Sequence, residues 1–169
     1  MDERTKNLVA ECRRQHDSCL YTSTTIFGWL KSLRRWRIFF VIAPIILGTI
    51  ATAPMLAELD GFQWVTGVCG LLAGLFPAVY KALDLDVSLG MLADRAQQYK
   101  KLQDRFRQAA DVTALGPFDE FKADFDKLMD AMDIARDNGL TPPEKFFKEA
   151  QAKIQSGDYD FDVDQKPKP

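Results

Sequence analysis

Two long apolar stretches constrain this chain more than any other feature. The first covers residues 38–57 and the second residues 62–80, and neither contains a charged side chain. A helix of either length is roughly 30 Å long at ~1.5 Å per residue, which is the thickness of a bilayer's hydrocarbon core. Because the four residues between them can join such helices only as antiparallel neighbours, we predict an all-α membrane protein with a two-helix transmembrane hairpin at residues 38–83. The alternative is a helical hairpin buried in a soluble protein.

The charges around the two stretches predict the orientation of the hairpin. Its predicted membrane-interface residues at the open end are Arg34, Arg35, Trp36, Arg37 and Lys81. The connecting segment carries Glu58 and Asp60 but no basic residue. Since basic flanks remain on the cytoplasmic side of a membrane, we expect both termini in the cytoplasm.

The rest of the chain is predicted to form long cytoplasmic helical extensions. These are an N-terminal helical region (residues 1–37), a stalk helix (84–115), a C-terminal helical pair (117–157) and an acidic tail (158–169). Residues 1–37 hold eight basic and four acidic residues, whereas those from Lys81 onward hold fourteen basic and eighteen acidic residues. The basic region lies next to the membrane, where anionic lipids would attract it, and nothing in the pattern suggests a nucleic-acid partner.

Two features of these extensions carry specific expectations. The β-branched, hydroxyl-rich run at residues 21–25 is predicted to break the N-terminal helix and to start a new one. In the stalk, 4-3 spacing typical of a coiled coil relates eight residues, which are Leu85, Leu89, Leu92, Ala96, Tyr99, Gln103, Phe106 and Ala110. We interpret Leu85, Leu89, Leu92, Tyr99 and Phe106 as a seam between subunits, with packing on residues 26–33 of the same chain as the alternative.

The C-terminal helical pair carries phenylalanine-rich faces. Helical spacing relates the residues of the first face, which are Phe118, Phe121, Phe125, Leu128, Met132 and Ala135. The second helix presents Phe146, Phe147, Ala150 and Ile154. We expect these faces to form a core, with a groove for a partner as the alternative. Alternating aspartates in the acidic tail fit either a solvated segment or a strand added to a partner's sheet.

The sequence offers few groups for chemistry. It contains no phosphate-binding glycine loop and no paired-cysteine zinc motif, and His16 is its only histidine. Cys12, His16 and Cys19 share one helical face, which could supply three metal ligands, but no fourth ligand is evident. We therefore predict no enzymatic activity, no catalytic residues, no cofactor and no metal.

Small residues line one side of the second apolar stretch. Gly67, Gly70 and Gly74 lie along it, and the first stretch offers Gly48. Small residues allow membrane helices to approach each other closely. They could serve packing within the hairpin or packing between subunits, and because two helices cannot enclose a pore, conduction would require several copies.

Taken in order along the chain, these features resemble a known family. They are the basic, aromatic lead-in at residues 29–37, the tight hairpin with an acidic turn, and the long helix opening at residues 81–85. A C-terminal helix follows that opens at residues 140–144 and is succeeded by residues 156–161. This arrangement resembles the SLATT family, two-transmembrane proteins associated with nucleotide-signalling and other conflict systems of bacteria.

The resemblance implies a function. Members are proposed to be membrane effectors in the bacterial inner membrane, which oligomerise when a separate sensor or nucleotide-signalling protein triggers them. They would then permeabilise the membrane as an antiviral response that halts the infected cell. By this resemblance the expected partners are membrane lipids, further copies of the chain and a separate sensor. The alternative function is a membrane anchor or scaffold for a cytoplasmic partner.

Overall fold

The computed structural model describes residues 2–56, 61, 63–82, 85–137 and 141–159, and every regular element among them is a helix, with no strand. Helix α1 covers Glu3–Leu56, α2 covers Gln63–Ala82 and α3 covers Leu85–Asp111. A 3₁₀ turn at Thr113–Leu115 leads to α4 (Phe118–Asp137) and α5 (Glu144–Gln155). The all-α prediction is thus confirmed. The boundary between the predicted hairpin and the predicted stalk falls on residues 83–84, and most of the acidic tail falls on residues 160–169, and these positions lie outside the described residues.

The chain divides into two compact units. The packed unit takes residues 1–29 and 92–169, and the apolar unit takes residues 30–91. Helix α1 contributes its first part to the packed unit and the remainder to the apolar unit. Most of the predicted N-terminal region (residues 1–29 of 1–37), most of the stalk (residues 92–115 of 84–115) and the C-terminal pair thus fall in the packed unit.

Helix α1 continues through the hydroxyl-rich run at residues 21–25, so the predicted break there is wrong. The hydroxyls bond to their own helix. Thr22 Oγ1 donates to the Ser18 carbonyl at 2.8 Å, and Thr25 Oγ1 donates to the Tyr21 carbonyl at 2.7 Å. Ser23, Thr24 and Thr25 are buried. Tertiary packing of this segment outweighs the weak helix propensity of β-branched residues.

The core of the packed unit lies where α3 and α4 meet the first part of α1. Phe106 of α3 and Phe121 of α4 have no exposed surface, and the Phe106 and Phe125 rings are 6.3 Å apart. The Tyr99 hydroxyl donates to the Ala135 carbonyl at 3.2 Å, and Cys19 of α1 contacts Met132 of α4 with 3.7 Å between their sulfurs. These contacts join three helices, as expected for side chains at helical spacing.

The α3 seam is covered by its own chain. Leu89, Leu92, Tyr99 and Phe106 are each at most 8% exposed, and the side chain of Leu85 lies outside the described set. Tyr99 and Phe106 contact α4, and Gln103 contacts His16 of α1 at 3.3 Å. These side chains are thus covered within a single chain, as in the alternative of packing inside one chain, and the role of the seam between subunits stays a prediction.

The last helix completes the packed unit against the middle of α1. A Cβ atom built on Gly28 would lie 3.8 Å from the Phe146 ring, and the Tyr21 and Phe147 rings are 6.4 Å apart. Ala150 is buried, whereas Phe147 is 48% exposed. In the C-terminal pair, Phe121, Met132, Ala135 and Ala150 thus belong to the core, as the sequence predicted.

Candidate functional site

The apolar unit is the candidate functional site because its large apolar side chains are exposed. Two helices are long and apolar enough to cross a membrane, and almost none of their most apolar windows is buried by the chain. Ile45 is 66% exposed and Leu71 is 68% exposed. Water penalises such surface by about 25 cal/mol per Å². An exposed apolar surface this extensive requires an apolar environment or a partner.

Within this unit, α1 and α2 run antiparallel. Thr66 Oγ1 donates to the Ala51 carbonyl at 3.0 Å, and Arg37 Nε donates to the Tyr80 hydroxyl at 3.3 Å. A late residue of α1 thus meets an early residue of α2, and an earlier α1 residue meets a late one of α2. The contacts therefore bring the beginning of the α1 apolar stretch and the end of α2 to the same level.

That level carries the predicted membrane-interface residues. Arg34, Arg35, Trp36 and Arg37 are exposed on α1, and Lys81 is exposed directly after Tyr80 on α2. The structure therefore gathers all five at one end of the helix pair, as an interface arrangement requires.

An aromatic cluster lies just beyond the basic residues. The Trp36 ring is 5.9 Å from Phe39 and 6.2 Å from Phe40. Phe76 of α2 lies 5.8 Å from Phe39 and 5.5 Å from Phe40. Sequence reasoning did not select Phe39, Phe40 or Phe76 as site residues. The spacing of Phe39 and Phe40 from Trp36 indicates a shared face of α1, but only the fold brings Phe76 of α2 to that face.

The hydroxyls within the apolar stretches are satisfied by backbone carbonyls. Thr49 donates to the Ile45 carbonyl at 2.9 Å, and Thr52 donates to the Thr49 carbonyl at 2.9 Å. Thr66 bonds across the pair, as described above. Hydrocarbon offers no hydrogen-bonding partner, so this internal satisfaction suits helices placed in a bilayer.

The predicted helix-packing glycines lie away from the contact between α1 and α2. Gly67, Gly70 and Gly74 are exposed, and a Cβ atom at any of them or at Gly48 would meet no atom of the described part of the chain within 4 Å. In α2, contact with α1 comes instead from Thr66, Phe76 and the Tyr80 hydroxyl. No described side chain of α1 thus packs closely against these glycines, and their role in helix packing stays a prediction.

The candidate metal ligands of α1 are engaged in packing. Cys12 and Cys19 have no exposed surface, and burial raises the pKa of each thiol to about 11. His16 Nδ1 lies 3.1 Å from Asp17 Oδ1, and its Nε2 lies 3.3 Å from Gln103 Nε2. Within the described ranges, no group of three histidine, cysteine or acidic side chains is arranged to hold a metal ion.

Comparisons of the chain with family models, curated proteins and solved structures give no match. The likeness to the SLATT family accordingly stays a prediction from the order of features along the sequence.

Proposed function

We propose that the protein is a bacterial inner-membrane effector in which α2 and the apolar part of α1 span the bilayer as a hairpin, with both termini cytoplasmic. The exposed apolar surface of this helix pair supports membrane insertion, because it would be solvated by lipid chains. The collected basic residues at one end support the orientation. The packed unit then lies in the cytoplasm.

The observation that carries the effector proposal is the unoccupied glycine face of α2. Gly67, Gly70 and Gly74 recur at helical spacing on an exposed side, where an added Cβ meets none of the described residues within 4 Å. In a bilayer such a face favours close helix–helix contact, since association there depends on packing rather than on the hydrophobic effect. We propose that copies of the chain associate through this face when a separate sensor triggers them, and that the assembly permeabilises the membrane.

Induced expression with a membrane-potential dye tests this proposal. High expression raises the subunit concentration and favours assembly by mass action. We expect depolarisation by the native chain and at least a tenfold loss of the effect in the Gly70→Leu/Gly74→Leu variant. Gly90→Leu is the matched control, because a Cβ at Gly90 of α3 also meets nothing within 4 Å.

Alkaline carbonate extraction shows whether each variant is still an integral membrane protein. A double variant that inserts and depolarises like the native chain would contradict the role of the glycine face. A native chain that never depolarises the membrane would contradict the effector proposal as a whole.

A membrane anchor that holds a cytoplasmic partner is the second candidate function. It is favoured by an exposed apolar patch at the 3₁₀ turn of the packed unit, where Val112 is 61% exposed and Leu115 is 79% exposed. Proximity labelling from the packed unit distinguishes the two functions. An anchor would label one partner, lose it in Leu115→Asp and leave the membrane potential unchanged.

A further inference from the structure

We infer that the apolar unit binds one anionic phospholipid in a groove between α1 and α2, with the lipid phosphate on Arg35. This inference rests on the proposed insertion of the helix pair in a membrane and adds a specific ligand to it. The groove has a volume of about 690 Å³ and is open to the surroundings of the pair.

The groove has the character of an acyl-chain site. Ile42 lines it from α1, and Leu72 and Phe76 line it from α2. Of the residues that line it, only Arg35 is charged, and it lies at one end with Leu47 at the other. An apolar trough with one cation at its mouth matches the chemistry of a lipid, which joins an apolar chain to a phosphate.

The length of the groove matches the depth of one leaflet. Arg35 and Leu47 are twelve positions apart, which corresponds to about 18 Å along a helix. One leaflet contributes about half of the ~30 Å hydrocarbon core. A lipid with its phosphate at Arg35 would therefore extend its chain along the groove and end near the bilayer midplane.

A second cavity adjoins the charged end and suits a headgroup. It measures about 390 Å³ and is lined by Ser32, Arg35, Trp36 and Phe39. Arg35 and Phe39 line both cavities. The groove is apolar apart from Arg35, whereas the second cavity offers the Ser32 hydroxyl, the Arg35 guanidinium and the Trp36 indole. A guanidinium can donate two parallel hydrogen bonds to phosphate oxygens.

Arg35 differs from its basic neighbours Arg34 and Arg37 because it lines both cavities. Arg37 donates to Tyr80 across the helix pair, and Arg34 is exposed but lines neither cavity. Arg35 forms no hydrogen bond or ion pair with residues 2–56, 61, 63–82, 85–137 or 141–159. Its guanidinium is thus available to a phosphate at the cytoplasmic leaflet, where anionic lipids are concentrated.

The test measures lipid retention by the full-length protein. The protein is purified from nanodiscs that contain equal amounts of phosphatidylglycerol and phosphatidylcholine, and native mass spectrometry counts the lipids that remain bound. We expect one retained lipid, with phosphatidylglycerol preferred about fivefold, as expected for one arginine near an anionic surface. Arg35→Gln should remove the preference, and Arg34→Gln, which removes the same charge, should preserve it.

Groove filling gives a second and independent measurement. Ala43 lines the groove, so Ala43→Phe should reduce retention of both lipids at least threefold. Val41→Phe is its control, since Val41 is exposed on the same helix and does not line the groove.

Three results would overturn the lipid site, namely equal retention of the two lipids by the native chain, equal effects of Arg34→Gln and Arg35→Gln, or unchanged retention in Ala43→Phe. Carbonate extraction separates these results from a failure of the proposed function. A chain that inserts without lipid preference overturns the lipid site alone, whereas a chain that does not insert overturns both.

Discussion

The two units treat the same kind of side chain in opposite ways. In the packed unit, Phe121 and Met132 are almost completely covered by their own chain, whereas in the apolar unit Ile45 and Leu71 are about two-thirds exposed. Both units are helical, and both have apolar helix faces. The difference lies in what covers the apolar surface, which is the protein itself in one unit and, by our proposal, lipid in the other.

This difference shows that apolar residues alone do not distinguish a core from a membrane surface. Helix α3 alternates buried and exposed positions at helical spacing, with Leu92 and Phe106 buried and charged residues between them. The apolar stretch of α1 has no charged residue between positions 38 and 56. A one-sided pattern requires a protein neighbour, whereas a helix that is apolar all round suits hydrocarbon.

The largest expected difference between the two units is in the free energy of unfolding that a substitution costs. Phe121→Ala removes a fully buried ring between helices of the packed unit, and we expect it to lower the free energy of unfolding by about 3–5 kcal/mol. Ile45→Ala, at a 66% exposed position, should change it by less than about 1 kcal/mol. Thermal unfolding of the purified protein in mild detergent measures both, and similar losses would erase the distinction between the units.

Placing a charge on the exposed surface of α2 tests whether lipid surrounds the apolar unit. Leu71→Asp places a carboxylate on exposed α2 surface, where we expect an insertion penalty of about 2.5–3.5 kcal/mol if that surface meets hydrocarbon. The fraction that resists alkaline carbonate extraction should fall severalfold. Leu115→Asp, at a 79% exposed position of the packed unit, should leave extraction unchanged. Full insertion of Leu71→Asp would show that lipid does not surround this face.

The buried thiols predict a pH dependence confined to the packed unit. Burial raises the pKa of Cys12 and of Cys19 from 9.0 to about 11, so the folded state holds these protons more tightly than the unfolded state. Their stabilisation is complete below pH 9 and is lost as the pH rises toward 11. Burial also raises the pKa of the Tyr99 hydroxyl, in the same direction.

We expect the unfolding temperature of the packed unit, measured under reductant, to fall between pH 8 and pH 10.5. The Cys12→Ala/Cys19→Ala variant is the comparison. It should be less stable at pH 8 but should lose less stability over the same interval, while other titrating groups contribute equally to both proteins. Parallel pH profiles would show that the thiols do not set this dependence.

The smallest effects compare one hydrogen bond in each unit. Tyr99→Phe removes the buried bond to the Ala135 carbonyl, and we expect a loss of about 1 kcal/mol. Thr66→Val removes the bond to the Ala51 carbonyl between α1 and α2, where we expect about 0.6 kcal/mol, as is typical between membrane helices. Unfolding in lipid nanodiscs measures both, and a much larger loss for Thr66→Val would mean that this bond holds the helix pair together.

Several parts of the fold were predictable because they depend on local pattern. The helical faces through Phe121, Met132 and Ala150 were identified from spacing, and their burial follows from that spacing. Charge next to an apolar stretch predicted that Arg34 and Lys81 lie at a membrane interface; both are exposed at the same end of the helix pair, and their place at an interface stays a prediction. The hydroxyl-rich run at residues 21–25 misled the prediction, since a weak local preference against helix is overcome when neighbouring helices bury the segment.

The sequence by itself determined the helical class and the location of the two helices that are long and apolar enough to span a membrane, because composition and periodicity are local properties. Tertiary structure alone decided that Tyr99 and Phe106 of α3 contact α4 and that Gln103 contacts α1 of the same chain. It also decided that the α2 glycines face away from α1 and that Arg35 opens onto a groove. Each of these depends on which distant residues meet, and helical spacing fixes the faces of a helix but not the neighbour that each face contacts.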